Sequence, residues 1–170
     1  MVYQSFSKRQ LLAMTWWNRP GLKDREGILC DGAIRSGKTI SMVTGFFLWS
    51  MASFDGCCFA LCGKTIGALR RNIVVHIPKW LGDVVEVREN RSDNKLTVTD
   101  RTGRTNTYYL FGGEDESSYK VIQGITLAGV LLDEAALMPR SFVERSYSLS
   151  IVSQGSFPFL RIRTNGLFIL

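Results

Sequence analysis

Eight consecutive residues limit what this chain can become. Gly32-Ala33-Ile34-Arg35-Ser36-Gly37-Lys38-Thr39 satisfies the pattern G-x-x-x-x-G-K-[ST] at every specified position. The flanks agree with it. Gly27 to Asp31 reads as a short buried strand entering the loop, and Ile40 to Met51 as a helix leaving it, apolar on most faces. Glycines allow the backbone to curl so that its N–H groups converge on phosphate oxygens. A helix N-terminus adds partial positive charge at the same place. In such a loop Lys38 is expected to reach the β- and γ-phosphates of a nucleotide, and the Thr39 hydroxyl to ligate Mg²⁺. The competing reading is an accidental glycine turn.

A second pattern stands about a hundred residues on. Ala128-Gly129-Val130-Leu131-Leu132-Asp133-Glu134-Ala135 is a hydrophobic strand ending in two acids. Asp133 is expected to hold the hydrated Mg²⁺, and Glu134 to orient and deprotonate the attacking water. Alone, two acids after an apolar run fit an ordinary helix start equally well. The upstream loop is what selects the Walker B reading, with ATP and Mg²⁺ as the cofactors.

Composition sets the outer limits. The 170 residues suit one domain or part of one, and 45% hydrophobic content permits a sizeable core. A net charge of +6 suits a partner rich in phosphate, although a solvated basic surface gives the same sum. Cys57, Cys58 and Cys62 lie close together and Cys30 precedes the loop, but no C-x-x-C pair exists and His76 is the one histidine. Reduced, buried thiols are therefore favoured over a zinc site, and a cytoplasmic setting over an oxidising one. No signal peptide opens the chain and no apolar run reaches about 18 residues, so no membrane span is expected.

The remaining elements follow from local pattern. Ser7 caps a helix through Lys8, Gln10, Leu11 and Met14 to Trp16 and Trp17, which Asn18-Arg19-Pro20-Gly21 breaks. Cys57 to Cys62 reads as a central parallel strand, followed by a helix from Ile66 to Ile77 that Pro78 stops. Strand, helix and strand in this order favour a parallel α/β sheet. Val84–Val87, Lys95–Thr99 and Thr105–Phe111 are strands, the last two joined by turn residues as a β-hairpin decorating that core. A short helix is expected from Ser141. The fold class is thus α/β, a P-loop NTPase with a mainly parallel sheet flanked by helices and a β-hairpin insertion.

Residues 5–145 resemble the N-terminal ATPase domain of large terminase subunits, the motors that pump DNA into tailed-phage and prophage capsids. The resemblance is carried by Phe6-Ser7-Lys8-Arg9-Gln10, by Ile28 through Thr39, and most specifically by the run from Gly129 through Leu137-Met138-Pro139-Arg140-Ser141-Phe142-Val143-Glu144. It is nearest to the branch found in defective prophages of Gram-positive bacteria. The resemblance implies an arginine at Arg35 that senses or stabilises the γ-phosphate, and an adenine-recognising glutamine at Gln10. It implies a link between nucleotide state and DNA grip at Lys64-Thr65, and leaves Gln123-Gly124 without a role. Implied partners are double-stranded DNA, a small terminase subunit and a portal or procapsid, within a homo-oligomer in the host cytoplasm. Lys64, Arg70 and Arg71 are candidates for contacting DNA phosphates.

On this reading residues 1–26 form a lead-in on the adenine side, 27–145 the ATPase core and 146–170 an atypical end. The family's Asn/Thr-rich coupling segment has at best a faint echo in Thr164-Asn165, and the nuclease domain is absent. A truncated gene or shifted frame is the expected cause. The alternatives are a non-catalytic nucleotide-binding remnant and a P-loop kinase or helicase-like ATPase. ATP turnover with and without DNA separates them.

Overall fold

The computed structural model describes residues 5–22, 28–33, 35–114, 124–148, 160–162 and 167–169. Among these, five helices run α1 Lys8–Thr15, α2 Lys38–Ser53, α3 Ile66–Asn72, α4 Ile77–Leu81 and α5 Arg140–Ser148. Eight strands run β1 Ile28–Cys30, β2 Cys58–Gly63, β3 Val85–Asn90, β4 Lys95–Asp100, β5 Thr105–Gly112, β6 Gly129–Asp133, β7 Leu160–Ile162 and β8 Leu167–Ile169. They form one sheet in the order β3-β4-β5-β2-β6-β8-β1-β7.

The middle of the sheet is parallel. β2 pairs in parallel with β5 on one side and β6 on the other. Successive side chains on a strand point to opposite faces, and the two hydrophobic clusters divide accordingly. Phe59 and Leu61 of β2, Tyr108 and Leu110 of β5, and Leu131 of β6 join the larger cluster with α1, α2 and α3. Ala60, Cys62, Phe111, Val130 and Leu132 face the other way, onto Leu127, Ala135, Met138 and Phe142. A strand buried on both faces must read as continuously apolar, which is why β2 and β6 do.

The larger cluster is aromatic at its centre. Phe59 and Phe47 both stack on Tyr108, with ring centroids 5.1 and 4.5 Å away. The Tyr108 hydroxyl is buried, and it shares a 2.6 Å hydrogen bond with Ser50 Oγ. That bond removes the cost of taking a phenol out of water. Asn106 is also buried; its Oδ1 accepts from the Cys57 N–H, and its Nδ2 donates to the carbonyls of Ser50 and Phe54. These bonds tie the C-terminal turn of α2 to the start of the central strands.

The expected β4–β5 hairpin is present and joins the sheet through β5, which lies in register along β2 from Thr107 to Gly112. One expectation is revised. The helix from Ile66 does not run to Pro78. It ends at Asn72, a 3₁₀ turn covers Val74–His76, and Pro78 lies in the first turn of α4. A proline there starts a helix at no cost, since that N–H has no acceptor within the helix.

Candidate functional site

The loop begins where β1 ends. Gly32 and Ala33 leave the strand, Ile34 lies outside the described residues, and Arg35 turns the chain with φ at 63°. Ser36 closes the turn by donating its N–H to the Ala33 carbonyl at 3.3 Å. Gly37 caps α2 in the left-handed region (φ 75°), which glycine occupies without strain. Lys38 and Thr39 are the first two residues of α2. The Lys38 ammonium donates to the carbonyls of Gly32 and Ala33, at 2.5 and 2.7 Å. Sequence distance therefore becomes a ring: the lysine folds back over the segment that precedes it. Arg35 is exposed.

Gln10 reaches the same loop from α1. Ser7 and Gln10 form a capping box, in which Ser7 Oγ accepts from the Gln10 N–H at 3.3 Å and Gln10 Oε1 accepts from the Ser7 N–H at 2.7 Å. The Gln10 Nε2 then donates to the Ser36 carbonyl at 2.9 Å. A Cβ on Gly37 would stand 2.4 Å from that nitrogen and would push the Gln10 amide aside, while the left-handed φ is what calls for glycine there. Between α1 and the loop lies a cavity of about 260 Å³, with Ser7, Gln10, Gly32, Ala33, Ser36 and Lys38 among its lining residues.

The acids stand at the end of β6. Asp133 closes the strand and is buried, with 5% exposure. Burial, and then the charge of Glu134 beside it, push its carboxyl up to about 6 from an ordinary 3.8. Glu134 is exposed and adopts left-handed backbone (φ 57°, ψ 42°) with no glycine to ease it. This conformation costs a non-glycine residue on the order of 1 kcal/mol. It turns the chain at once into the 3₁₀ turn Ala135–Leu137, so the two neighbouring acids leave the strand with different exposure.

β6 is not next to β1. β8 lies between them, antiparallel to both. At the usual strand spacing the axes of β1 and β6 are about 10 Å apart. α2 packs across this gap, against β6 and β8. The sheet thus brings the loop and the acids to neighbouring positions.

Among the residues expected on DNA, Lys64 and Arg71 are exposed. Arg70 is held by Glu89 at 2.7 Å and by Asn94 at 2.9 Å, at the turn of the β3–β4 hairpin. Thr65 caps α3 by accepting from the Ala68 N–H at 2.9 Å. Gln123 lies outside the described residues. No helix among the described residues is long and apolar enough to cross a membrane.

No protein-family model matches the chain, and no curated protein does. Solved structures do. The large terminase of a thermophilic bacteriophage superposes with a TM-score of 0.82 at 47% identity, over 92% of this chain and 39% of that one. The chain belongs to the large-terminase family. The same phage's terminase in complex with ADP superposes at 0.81, and in complex with ATP-γ-S at 0.80, each 44% identical over 92% of this chain and 38% of that one. This chain therefore spans well under half the length of those relatives. The ATPase domain of the Thermus phage P74-26 large terminase, at 17% identity and a TM-score of 0.63 over 95% of this chain, shares the fold. That fold is the P-loop NTPase fold expected from the sequence.

Sequence reasoning missed two features of this terminase site. The Ser36 carbonyl as a partner of Gln10 has no residue-type signal, since any residue offers a carbonyl. The capping box had one: Ser7-Lys8-Arg9-Gln10 is S-x-x-Q before an apolar run.

Proposed function

We propose that this chain is the ATPase motor domain of a DNA-packaging terminase, binding and hydrolysing ATP to drive double-stranded DNA into a procapsid. The observation that carries the proposal is the sequence and fold shared with a terminase that holds ATP-γ-S, at 44% identity over 92% of this chain. The phosphate loop and the acids of β6 supply the chemistry that such a nucleotide needs. In this reading residues 27–145 form the ATPase core and 1–26 its lead-in.

The chain's own groups divide the work. Backbone N–H groups of the loop, with the Lys38 ammonium released from its own carbonyls, hold the β- and γ-phosphates. Arg35 is long, exposed and within the loop, and spreads positive charge toward the transferring phosphoryl group. Glu134, exposed beside the buried Asp133, orients a water and takes its proton.

The residues present fit Mg²⁺. Asp133 is a hard oxygen donor whose carboxylate is disfavoured by burial and by its acidic neighbour, and a cation relieves both. Thr39 offers a second oxygen. Bound Mg²⁺ would neutralise charge on the β- and γ-phosphates during transfer.

Double-stranded DNA is the proposed track, with exposed Lys64 and Arg71 as phosphate contacts. A small terminase subunit, a portal and neighbouring copies of the motor, in a host cytoplasm, complete the proposed assembly. The test is ATP turnover by the chain, and by a full-length relative with the same motifs, with and without double-stranded DNA. Stimulation by DNA that fades steeply with salt supports the motor. Phosphoryl transfer to a small acceptor, with indifference to DNA in both proteins, overturns it.

A further inference from the structure

Helix α1 is fixed at two points one turn apart. At Ala13 it packs so closely on α2 that a Cβ on Gly45 would stand 2.4 Å from the Ala13 carbonyl oxygen. Gln10 lies three residues earlier, on the same face of the helix, and its Nε2 meets Ser36 and Gly37. The first contact sets how far α1 stands from α2. The second carries that spacing to the loop from which α2 starts.

The Gln10 amide has no idle end. Its Oε1 is held by the Ser7 N–H, which fixes the side chain, and its Nε2 is aimed at the Ser36 carbonyl. A trans peptide is planar, with its C=O and the next N–H pointing in opposite directions. Holding the Ser36 carbonyl on α1 therefore turns the Gly37 N–H away from α1. This is also a peptide free to rotate if nothing holds it, because the glycine that follows accepts either sign of φ. At Gly37 φ is 75°.

We propose that Gln10 is a positioning residue for the phosphate loop, locking the Ser36–Gly37 peptide in the orientation that receives polyphosphate. The consequence for binding rests on the nucleotide-binding function proposed above; the lock itself does not. The role differs from base recognition. Base recognition would use the second N–H and the second lone pair of the amide and would serve a nucleotide alone, whereas an oriented loop serves any polyphosphate, with or without a base.

Two variants test this. Gln10→Met removes both bonds and keeps the length of the side chain. Gln10→Glu keeps an acceptor for the Ser7 N–H, completing the same capping box, but has no donor for Ser36. In ¹⁵N–¹H spectra of the ligand-free chain, the Gly37 amide is expected as one sharp resonance in the parent and broadened or doubled in both variants. The α1 resonances should persist in Gln10→Glu. An unchanged Gly37 resonance overturns the proposal. So does a change that comes with loss of α1 in Gln10→Glu, since that assigns the residue to the helix cap alone.

Titration with Mg²⁺-tripolyphosphate and with Mg²⁺-ATP then reads the consequence. Gln10→Met should weaken both by the same factor, about two- to tenfold, the net worth of one hydrogen bond. Weakening of ATP alone assigns base recognition and overturns the positioning role. A parent chain that binds neither probe refutes the nucleotide reading, and the Gly37 resonance still decides the lock.

Discussion

Gly45→Ala sets two known effects against each other, and the geometry says which wins. Gly45 lies inside the sixteen-residue helix α2. Replacing an interior helical glycine by alanine gains about 1 kcal/mol when nothing else changes. Here the new Cβ would lie 2.4 Å from the Ala13 carbonyl oxygen and 3.0 Å from the Met14 Cα, where ordinary contacts begin at 3.4 Å. Both obstacles are backbone, so no side chain can swing aside. α1 must retreat from α2 by on the order of 1 Å, enough to forfeit a quarter to a half of the dispersion energy at each loosened contact. The contacts at stake are those of Ala13 and Met14, and of Trp16, whose ring lies 6.3 Å from that of Trp49.

Overpacking of this kind costs about 1–3 kcal/mol. Set against the propensity gain, the expected result is a net loss of about 1 kcal/mol, and Gly45→Leu should lose more. Urea unfolding followed by tryptophan fluorescence measures it. With a slope of about 2 kcal/mol per M, the midpoint should fall by roughly 0.5 M at unchanged slope. A midpoint that rises, as propensity alone requires, would refute the claim that α1 and α2 are clamped at this glycine. It would also remove one of the two anchors assigned to Gln10's helix.

Lys38→Ala should abolish most affinity for an ATP analogue in a calorimetric titration, because the phosphates lose their main side-chain partner; near-parent affinity would contradict its role. Glu134→Gln should bind ATP as the parent does yet slow turnover by about 10²–10⁴-fold, measured in a full-length relative with the same motifs, since an amide cannot accept the water's proton. Asp133→Asn should stabilise the metal-free protein as pH rises. A carboxyl raised to about 6 from 3.8 makes the folded state bind its proton more tightly than the unfolded state. Parent stability therefore falls between those pH values, by up to about 3 kcal/mol, while the amide does not titrate. In EDTA the variant's melting temperature should exceed the parent's by several degrees at pH 8 and match it near pH 4; a gap that is the same at both would show that the carboxyl's burial is not its cause.

Much of the sheet was legible because its rule is local. Phe59, Ala60, Leu61 and Cys62 alternate between two buried faces, so the strand had to be apolar without interruption, and it is. Ser7 announced α1 in the same way, through its own side chain. Pro78 was misread for a related reason. A proline excludes one hydrogen bond, and that constraint fits the end of one helix and the start of the next equally well. The placement of β8 between β1 and β6 had no local signal at all, since a strand's pattern states which residues face the core and not which strand lies alongside.

The site divides along the same line. Gly32, Gly37, Lys38 and Thr39 were legible as a group because a curled backbone and a phosphate charge require those residue types at that spacing. Gly45 was not, because a glycine within an apolar helix reads as a small defect until the neighbouring backbone is seen 2.4 Å from its missing Cβ. Glu134 was legible as an acid and not as a left-handed residue, since its type gives no hint of φ 57°. Gln10 is the instructive case. Its residue type permits pairing with adenine, with a helix cap or with a loop carbonyl, all through one amide. Only the positions of Ser7 and Ser36 show that the second and third are made together in the ligand-free protein. An amide carries two N–H donors and two lone pairs, so the bonds to Ser7 and Ser36 leave one of each, and what those bonds fix is the direction in which the amide meets any further partner.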